Sequence, residues 1–460
     1  MWALKTISYA ALYFFLCVAS LFNPIIGVVN YMLVYQIDPK GTWWGRPLHY
    51  SGIRFSFVAA VFLICGMILS GKKVPKLRPY LDPWELGVVS LVIMAFFSVL
   101  IGVEYTYETA GRLDKFWKMM LFVFIFGRLV TTRKNLHIVI WTIVIGTLYL
   151  GREAYIAPPD SFAMGRLNTI GGSDFRYSSG VAAHLAAVLP LVGAAFLIAK
   201  HWYTKLLALG TGALAFNAMV LCRTRSAVIG LAAGGIVAAL LAPRRRRTRI
   251  YLMVLLCVPV ALRLTDTGFW ERIRTIIDPK TRATDTAVVI RIDVWKAGLK
   301  MINDHPFGVG AGNFERMSRY YYHERRAAHN TIINCVAELG IHAGVLFIVM
   351  LIGCFRNLHR SVRLADQTAN PMETRYLAYG ILVAMVTYLV AGSFTERFYA
   401  ESFWWVLALP LCLRRVAVRE AATLEEEQLV LEHCPAISGE KRHAPVPTVT
   451  PPLTAATGGI

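Results

Sequence analysis

The sequence predicts an all-α, polytopic membrane protein, and its composition and apolar runs support this fold class. Of its 460 residues, 56% are hydrophobic and only 17% are charged, whereas soluble domains are about one quarter charged. Membrane-length apolar runs follow one another from residue 7 to residue 413. A helix needs roughly 20 apolar residues to cross a bilayer, and these runs are not the short alternating segments of a β-barrel.

The apolar runs predict about 12 transmembrane helices when the first run is counted once. That run, residues 7–37, is broken at Asn23-Pro24 and fits either a kinked helix or a span followed by an interfacial piece. It lacks the small-residue cleavage site of a signal peptide, so we expect it to be retained. The further spans are predicted at residues 53–70, 84–103, 116–131, 135–151, 181–199, 204–222, 226–242, 250–264, 331–354, 376–393 and 402–413.

Basic residues between the spans predict the orientation. Arginine and lysine clusters, the densest at residues 244–249, fall on one side when the spans alternate, and basic loops mark the cytoplasmic side. The net charge of +20 is therefore interpreted as an orientation signal and not as a nucleic-acid footprint. Both termini are predicted to be cytoplasmic and residues 265–330 to form an outer loop. Residues 1–419 would be the transmembrane domain and residues 420–460 a disordered cytoplasmic tail.

The outer loop at residues 265–330 is the longest polar segment between two membrane-length runs. Its residues 287–302 are predicted to form an amphipathic helix on the membrane surface, with Trp295 as the anchor. Residues 305–314 hold three glycines that we interpret as turn-forming, because the strand-to-helix context and the lysine of a nucleotide loop are missing. The loop ends at His329, followed by Asn330 as a predicted helix N-cap.

Two arginines break the charge pattern. Arg223-Thr224-Arg225 lies between two predicted spans, with almost no loop, on the outer face where cations are disfavoured. A planar guanidinium suits a diphosphate because it donates paired hydrogen bonds and keeps its charge. The alternative is that the arginines extend to lipid headgroups.

Two further residues are candidates for chemistry. Arg291 lies beside the face predicted for Val288, Ile292 and Trp295, where it would meet either a lipid-linked ligand or headgroups. His329 at an outer interface can accept a proton near neutral pH, or it can be a structural hydrogen-bonded residue.

Glu338 and His342 are four residues apart on one predicted helix face and would pair with each other or with an arginine. Glu338 is interpreted as a structural or supporting group and not as the base. Other outer-loop charges are predicted to be solvated or scaffold residues: Arg166, Asp174, Arg176, Glu396 and Arg397. The cysteines show no metal-ligand spacing, so we expect chemistry without metal or cofactor.

Four stretches, taken together in order and spacing, indicate a family. They are Thr224-Arg225-Ser226-Ala227, Arg291 with Trp295, the turn at residues 305–314, and His329-Asn330 followed by Glu338-Leu339-Gly340 and Gly344. Over residues 165–350 the chain resembles the O-antigen ligase and polymerase superfamily of bacterial membrane glycosyltransferases. The fold implied is that of the membrane-embedded type C glycosyltransferases, with a long helical periplasmic loop.

The resemblance implies an inverting, metal-independent glycosyltransferase on the periplasmic face of the bacterial inner membrane. Its donor would be a glycan on undecaprenyl diphosphate. Arg225 and Arg291 would bind the diphosphate, and His329 would activate the acceptor hydroxyl. Arg223 lies outside the core of the family motif and is kept as an additional donor-binding candidate.

Three acceptors fit this chemistry and stay open: lipid A-core or another lipid, a protein, and a growing polysaccharide chain, which would make the protein a polymerase. A different class, a transporter or flippase of lipid-linked glycans, also suits twelve spans. However, the two halves of the sequence show no repeat, and the candidate charges cluster at one face.

Overall fold

A computed structural model describes residues 2–42, 44–71, 81–168, 170–242, 247–248, 251–252 and 286–433. These residues are overwhelmingly helical, which confirms the predicted fold class. The helices are α1 (Trp2–Phe22), α2 (Pro24–Ile37), α3 (Arg46–His49), α4 (Phe55–Leu69), α5 (Pro83–Ile101), α6 (Tyr107–Leu129), α7 (Arg133–Tyr155), α8 (Ser178–Ile198), α9 (Trp202–Leu221), α10 (Arg225–Leu240), α11 (Thr286–Asp304), α12 (Phe314–Tyr322), α13 (Thr331–Leu339), α14 (Ile341–Arg363), α15 (Pro371–Gly392) and α16 (Glu401–His433). Two short antiparallel strands, β1 (Phe162–Ala163) and β2 (Arg166–Leu167), form a small hairpin.

Seven of the described helices are long and apolar enough to cross a membrane: α1, α5, α7, α8, α9, α14 and α15. Three shorter apolar helices, α2, α4 and α10, accompany them. The spans predicted at residues 116–131 and 402–413 are helical, as parts of α6 and α16. The span predicted at residues 250–264 lies outside the described residues, except for residues 251 and 252.

The first apolar run is an antiparallel hairpin of two helices. The amide of Asn30 on α2 donates to the sulfur of Cys17 on α1 at 3.2 Å. Along the chain, the two residues lie equally far from the break at Asn23-Pro24. Pro24 has no N–H to donate to the preceding turn, and its fixed φ suits the first residue of a new helix. Neither a single kinked span nor an interfacial piece describes this arrangement, because most of α2 is buried against other helices.

The hairpin also corrects the predicted position of the N-terminal segment. Ser70, after α4, donates to the carbonyl of Leu21 beside the break, whereas Thr6 donates to the carbonyl of Trp44 at the open end. Residues 4–6 therefore lie at the end of the bundle opposite to the one that α16 reaches, which does not match the predicted arrangement of the N-terminal segment. The side on which each terminus lies stays a prediction. Since α2 adds a second crossing, the later loops keep their predicted sides.

We call the two ends of the bundle the upper and the lower end. The upper end holds residues 38–54, 102–106, 156–177, 222–224 and 393–400, and the lower end holds residues 130–132, 199–201 and 364–370.

Small residues bring α10 close to α15. A Cβ added to Gly230 would lie 2.6 Å from the carbonyl oxygen of Thr387, and one added to Gly234 would lie 2.0 Å from the Thr387 hydroxyl. Glycines spaced four apart are a common means of close packing between membrane helices. The contact fixes α10, and with it the position of Arg225 at its upper end.

The span predicted at residues 331–354 is broken into α13 and α14. Gly340 between them has a φ of +95°, which favours glycine, and a Cβ there would lie 2.7 Å from the backbone carbon of Phe307. The amide of Ile341 donates to the carbonyl of Pro306 at 2.9 Å. The glycine-rich turn before α12 thus fills the break.

The last helix, α16, begins at the upper end and extends beyond the last predicted span. Glu420 accepts a hydrogen bond of 2.8 Å from Arg133 at the start of α7. Residues 420–433 are helical, which corrects the predicted start of a disordered tail at residue 420; they contain good helix formers and neither Gly nor Pro. Residues 434–460 lie outside the described part of the chain.

Candidate active site

The chain reverses tightly between α9 and α10, as predicted. Only residues 222–224 separate the two helices, and Arg223 adopts a left-handed φ of +46°, uncommon for a side-chain-bearing residue. The Arg223 guanidinium lies against the turn between β1 and β2, since a Cβ added to Gly165 would be 2.8 Å from its Nη1. The reversal places Arg225 at the first turn of α10.

Arg166 on β2 lies within the electrostatic reach of both predicted donor-binding arginines. Burial, then the charges of Arg225 and Arg291, lower the pKa of Arg166. Its Nε is buried and has no hydrogen-bond partner among the described residues. Three guanidinium groups from three separate segments therefore face one region, although the sequence predicted Arg166 to be scaffold.

Residues 287–302 are helical as predicted, and the Trp295 side chain also makes contacts within the protein. Its indole N–H donates to the carbonyl oxygen of Ala328 at 2.9 Å, and its ring lies 6.2 Å from that of Phe394. The buried residues of α11 whose burial is described are Val294, Ala297, Gly298 and Met301, one face at helical spacing. These contacts hold Arg291, one turn before Trp295, beside the segment that carries His329.

His329 has a left-handed φ of +46° and its side chain is exposed. Partial removal from water, then the charges of Arg291, Arg397 and Arg326, lower the pKa of His329 to about 4. The imidazole is therefore neutral at neutral pH. Asn330 caps α13 as predicted, with its side-chain oxygen accepting the amides of residues 332 and 333 at 3.0 Å each.

The loop at residues 393–397 is tied to the start of α13. The Thr331 hydroxyl lies 2.8 Å from the carbonyl of Gly392 and 3.0 Å from that of Thr395, and it accepts the amide of Arg397 at 3.0 Å. The amide of His329 donates to the Glu396 carboxylate at 3.3 Å. Glu396 and Arg397, expected to be scaffold or solvated, thus lie next to His329.

Glu338 binds the glycine-rich turn. Its carboxylate accepts the amides of Gly312 and Phe314 at 2.9 and 3.0 Å and the Tyr399 hydroxyl at 2.5 Å. It does not pair with His342, which follows the break at Gly340 and whose ring lies beside Phe97 and Phe307. This geometry fits the predicted supporting role, since Glu338 is buried, with only 3% of the residue exposed.

The glycines of residues 305–314 form turns, as predicted. Gly308, Gly310 and Gly312 have φ values of +96°, +99° and +84°, which side-chain-bearing residues rarely adopt. The amides of Val309 and Gly310 donate to the carbonyls of Ala337 and Glu338 near the break between α13 and α14.

Asp174 lies at the upper end in a network of its own. It pairs with Lys115 and accepts the Tyr35 hydroxyl at 2.8 Å. Burial opposes ionisation of Asp174, but Lys115, Arg397 and Tyr35 together lower its pKa. Among the residues the structure describes, no three His, Cys, Asp or Glu side chains are grouped to hold a metal ion; metal independence stays a prediction.

The fold and the charged cluster define a polytopic α-helical membrane protein with a polar, arginine-rich site at one end of its bundle. Residues 210–348 match the family model described as O-antigen ligase, which confirms the resemblance to the O-antigen ligase and polymerase superfamily over this part of the chain. The match covers less than a third of the 460 residues and includes Arg223, Arg225, Arg291, His329 and Glu338. No curated protein matches the chain.

Three upper-end residues were predicted from the sequence to be solvated or scaffold residues but lie at the candidate site: Arg166, Glu396 and Arg397. They lie outside the matched residues, in segments that only the fold brings to His329 and Arg225. For Arg166 and Arg397 the signal in the sequence was a positive charge on the side where cations are disfavoured, whereas Glu396 carried no such signal.

Proposed function

We propose that this protein transfers a glycan from undecaprenyl diphosphate to an acceptor hydroxyl. The observation that supports this proposal is the convergence of Arg166, Arg225, Arg291 and His329, from four segments of the chain, at the upper end. A set of cations beside a neutral base is the arrangement that a diphosphate leaving group and a hydroxyl nucleophile require.

The arginines would bind the donor diphosphate. Arg225 and Arg291 lower the pKa of Arg166, so the positive charges repel one another, and an anion bound beside them would reduce that repulsion. The N-terminus of α10, where Arg225 lies, adds the partial positive charge of its helix dipole. In the transfer step these groups stabilise the negative charge that grows on the diphosphate as its bond to sugar C1 breaks.

His329 would take the proton of the acceptor hydroxyl. Its lowered pKa keeps the imidazole neutral and able to accept a proton at neutral pH. The acceptor oxygen forms a bond to C1, the C1–O bond to the diphosphate breaks, and undecaprenyl diphosphate leaves with the electron pair. A single displacement of this kind inverts the configuration at C1.

We infer that the upper end faces the periplasm. Basic residues are concentrated in the lower loops, for example at Arg133-Lys134 and Lys200, and residues 244–249 follow α10, which finishes at that end. Positive residues mark the cytoplasmic side. The cell inner membrane is the location that a lipid-linked donor requires.

The acceptor distinguishes a ligase from a polymerase, and the ligase is our leading proposal. Purified protein should be given a synthetic undecaprenyl-diphosphate glycan and candidate acceptors, with a chelator present. Product from the wild type that is absent for His329→Ala would support a metal-independent transferase, and the accepted substrate would separate the two activities. Donor binding without product for any acceptor would favour a transporter.

A further inference from the structure

The residue before α13 on which the proposed chemistry depends is held in an unusual conformation. His329 has a φ of +46°, a region that residues other than glycine seldom occupy unless neighbouring groups hold them there. A left-handed residue redirects the chain and its own side chain relative to the helix that follows. The direction of the imidazole therefore depends on whatever stabilises this backbone conformation.

Three side chains hold this short segment. The Ala328 carbonyl accepts the Trp295 indole N–H at 2.9 Å, and the Asn330 amide donates to the carbonyl of Ser393 at 3.2 Å. Between these two contacts, the carboxylate of Glu396 accepts the N–H of His329 itself at 3.3 Å. Among the described residues, Glu396 is the only side chain that accepts the backbone N–H of His329.

We infer that Glu396 is a positioning residue, which fixes the left-handed backbone of His329 and so directs its imidazole toward the arginines of the donor site. Arg291 and Arg397 lower the pKa of His329, which is the electrostatic effect expected of a ring that faces them. Glu396 is itself held in place, because Thr331 bonds to the residues on either side of it, Thr395 and Arg397. This inference rests on the proposed role of His329.

The matched variants are Glu396→Ala and Glu396→Gln. Burial raises the pKa of Glu396 to about 7, so it is only partly ionised at neutral pH. The glutamine keeps an oxygen that accepts the His329 N–H but cannot ionise, whereas alanine removes both the oxygen and the ionisable group. Misplacing a reactive group by about 1 Å costs on the order of 100-fold in rate. We expect Glu396→Ala to lower kcat by roughly tenfold to 100-fold with little change in the KM for the donor, and Glu396→Gln to recover most of the loss.

A second measurement does not depend on activity. Diethyl pyrocarbonate modifies only the neutral imidazole, so the pH midpoint of His329 modification, followed by mass spectrometry of its peptide, reports the pKa. If alanine lets the ring turn away from the arginines, the midpoint should rise toward that of an ordinary histidine. Loss of a negative charge alone would not raise the midpoint. A nearby carboxylate stabilises the imidazolium, so its removal would lower the pKa of His329.

Thr331→Val tests the same idea with Glu396 intact, because it loosens the loop, and it should also raise the midpoint. Glu108→Ala, which removes an exposed upper-end carboxylate, should leave both measurements unchanged. Unaltered kcat and midpoint in Glu396→Ala and Thr331→Val would overturn the inference, as would a glutamine variant as impaired as the alanine variant. If the wild type transfers no glycan, the proposed function fails, and the modification midpoints still decide the positioning role.

Discussion

Trp295 and Ala328 are joined by a hydrogen bond of 2.9 Å although 33 residues separate them. The bond connects α11, which carries Arg291, to the residue immediately before His329. It therefore couples the position of a predicted donor-binding group to that of the predicted base. The loop predicted at residues 265–330 is long in the sequence, but this hydrogen bond brings two parts of the candidate site together.

Trp295→Phe should weaken this connection while keeping most of the ring packing. Loss of a hydrogen bond of this kind costs about 1 kcal/mol, so the thermal unfolding midpoint in detergent should fall by only a few degrees. The transfer rate should fall more, by roughly tenfold, because His329 and Arg291 are no longer held together. Trp202→Phe, at an exposed position on α9, is the control. Equal effects of the two substitutions would contradict a specific connection.

Replacing Arg225 or Arg291 by lysine should impair transfer, although the charge is kept. An ammonium cannot reproduce the paired hydrogen bonds of a guanidinium. Each lost charge-assisted bond is worth about 1.5–3 kcal/mol, so kcat/KM for the donor should fall at least about tenfold. Arg319→Lys, at an exposed position on α12, is the matched control. Near-normal kcat/KM in Arg225→Lys and Arg291→Lys would argue against a bidentate clamp.

The pH dependence of transfer should respond to the cations around His329. Arg326 contributes to the lowered pKa of His329. Arg326→Gln removes a positive charge, so the imidazolium becomes easier to form and the pKa of His329 should rise. Because the base must be neutral, the acidic limb of the kcat profile should move to higher pH. An unchanged acidic limb would show that another group controls it.

The α1–α2 hairpin predicts which end of the bundle the N-terminal segment reaches. Single cysteines should be introduced, after replacing the exposed Cys65, at Lys5, at Met164 in the upper β-hairpin and at Asp366 at the lower end. In intact cells, an impermeant maleimide should label the first two positions, and the third only after permeabilisation. Labelling at Lys5 that matches Asp366 would contradict the hairpin. Ser318 is a poor reporter site because its side chain is buried and hydrogen-bonded.

The apolar runs and the residues that cap or break helices made much of the fold predictable from the sequence. The Asn330 N-cap, the turn-forming glycines and the tight reversal at residues 222–224 follow from local rules that the structure obeys. The sequence located the Asn23-Pro24 break but not its outcome, because a proline that starts a new helix and one that kinks a helix look alike without tertiary contacts.

Two of the predicted site residues lie at helix ends, where the sequence pattern singles them out. Arg225 and His329 can be identified from their positions in the sequence. Glu396, by contrast, lies 67 residues from His329 and accepts its backbone N–H. No pattern encodes such a contact. The contact of Trp295 with Ala328 was missed for a similar reason, since an interfacial tryptophan and one that bonds to a distant carbonyl share the same amphipathic context.

The lengths of three helices bear on how a membrane-bound substrate reaches this site. α2, α4 and α10 have 14, 15 and 16 residues, or about 21–24 Å at 1.5 Å per residue, against a hydrocarbon core about 30 Å thick. With their lower ends at the membrane surface, their upper ends stop short of the opposite headgroups. Arg225, at the upper end of α10, then stands at the bottom of a depression in the leaflet. The diphosphate of a lipid-linked donor would then have to move below the level of the surrounding headgroups to meet Arg225, and water would have to reach the same depth.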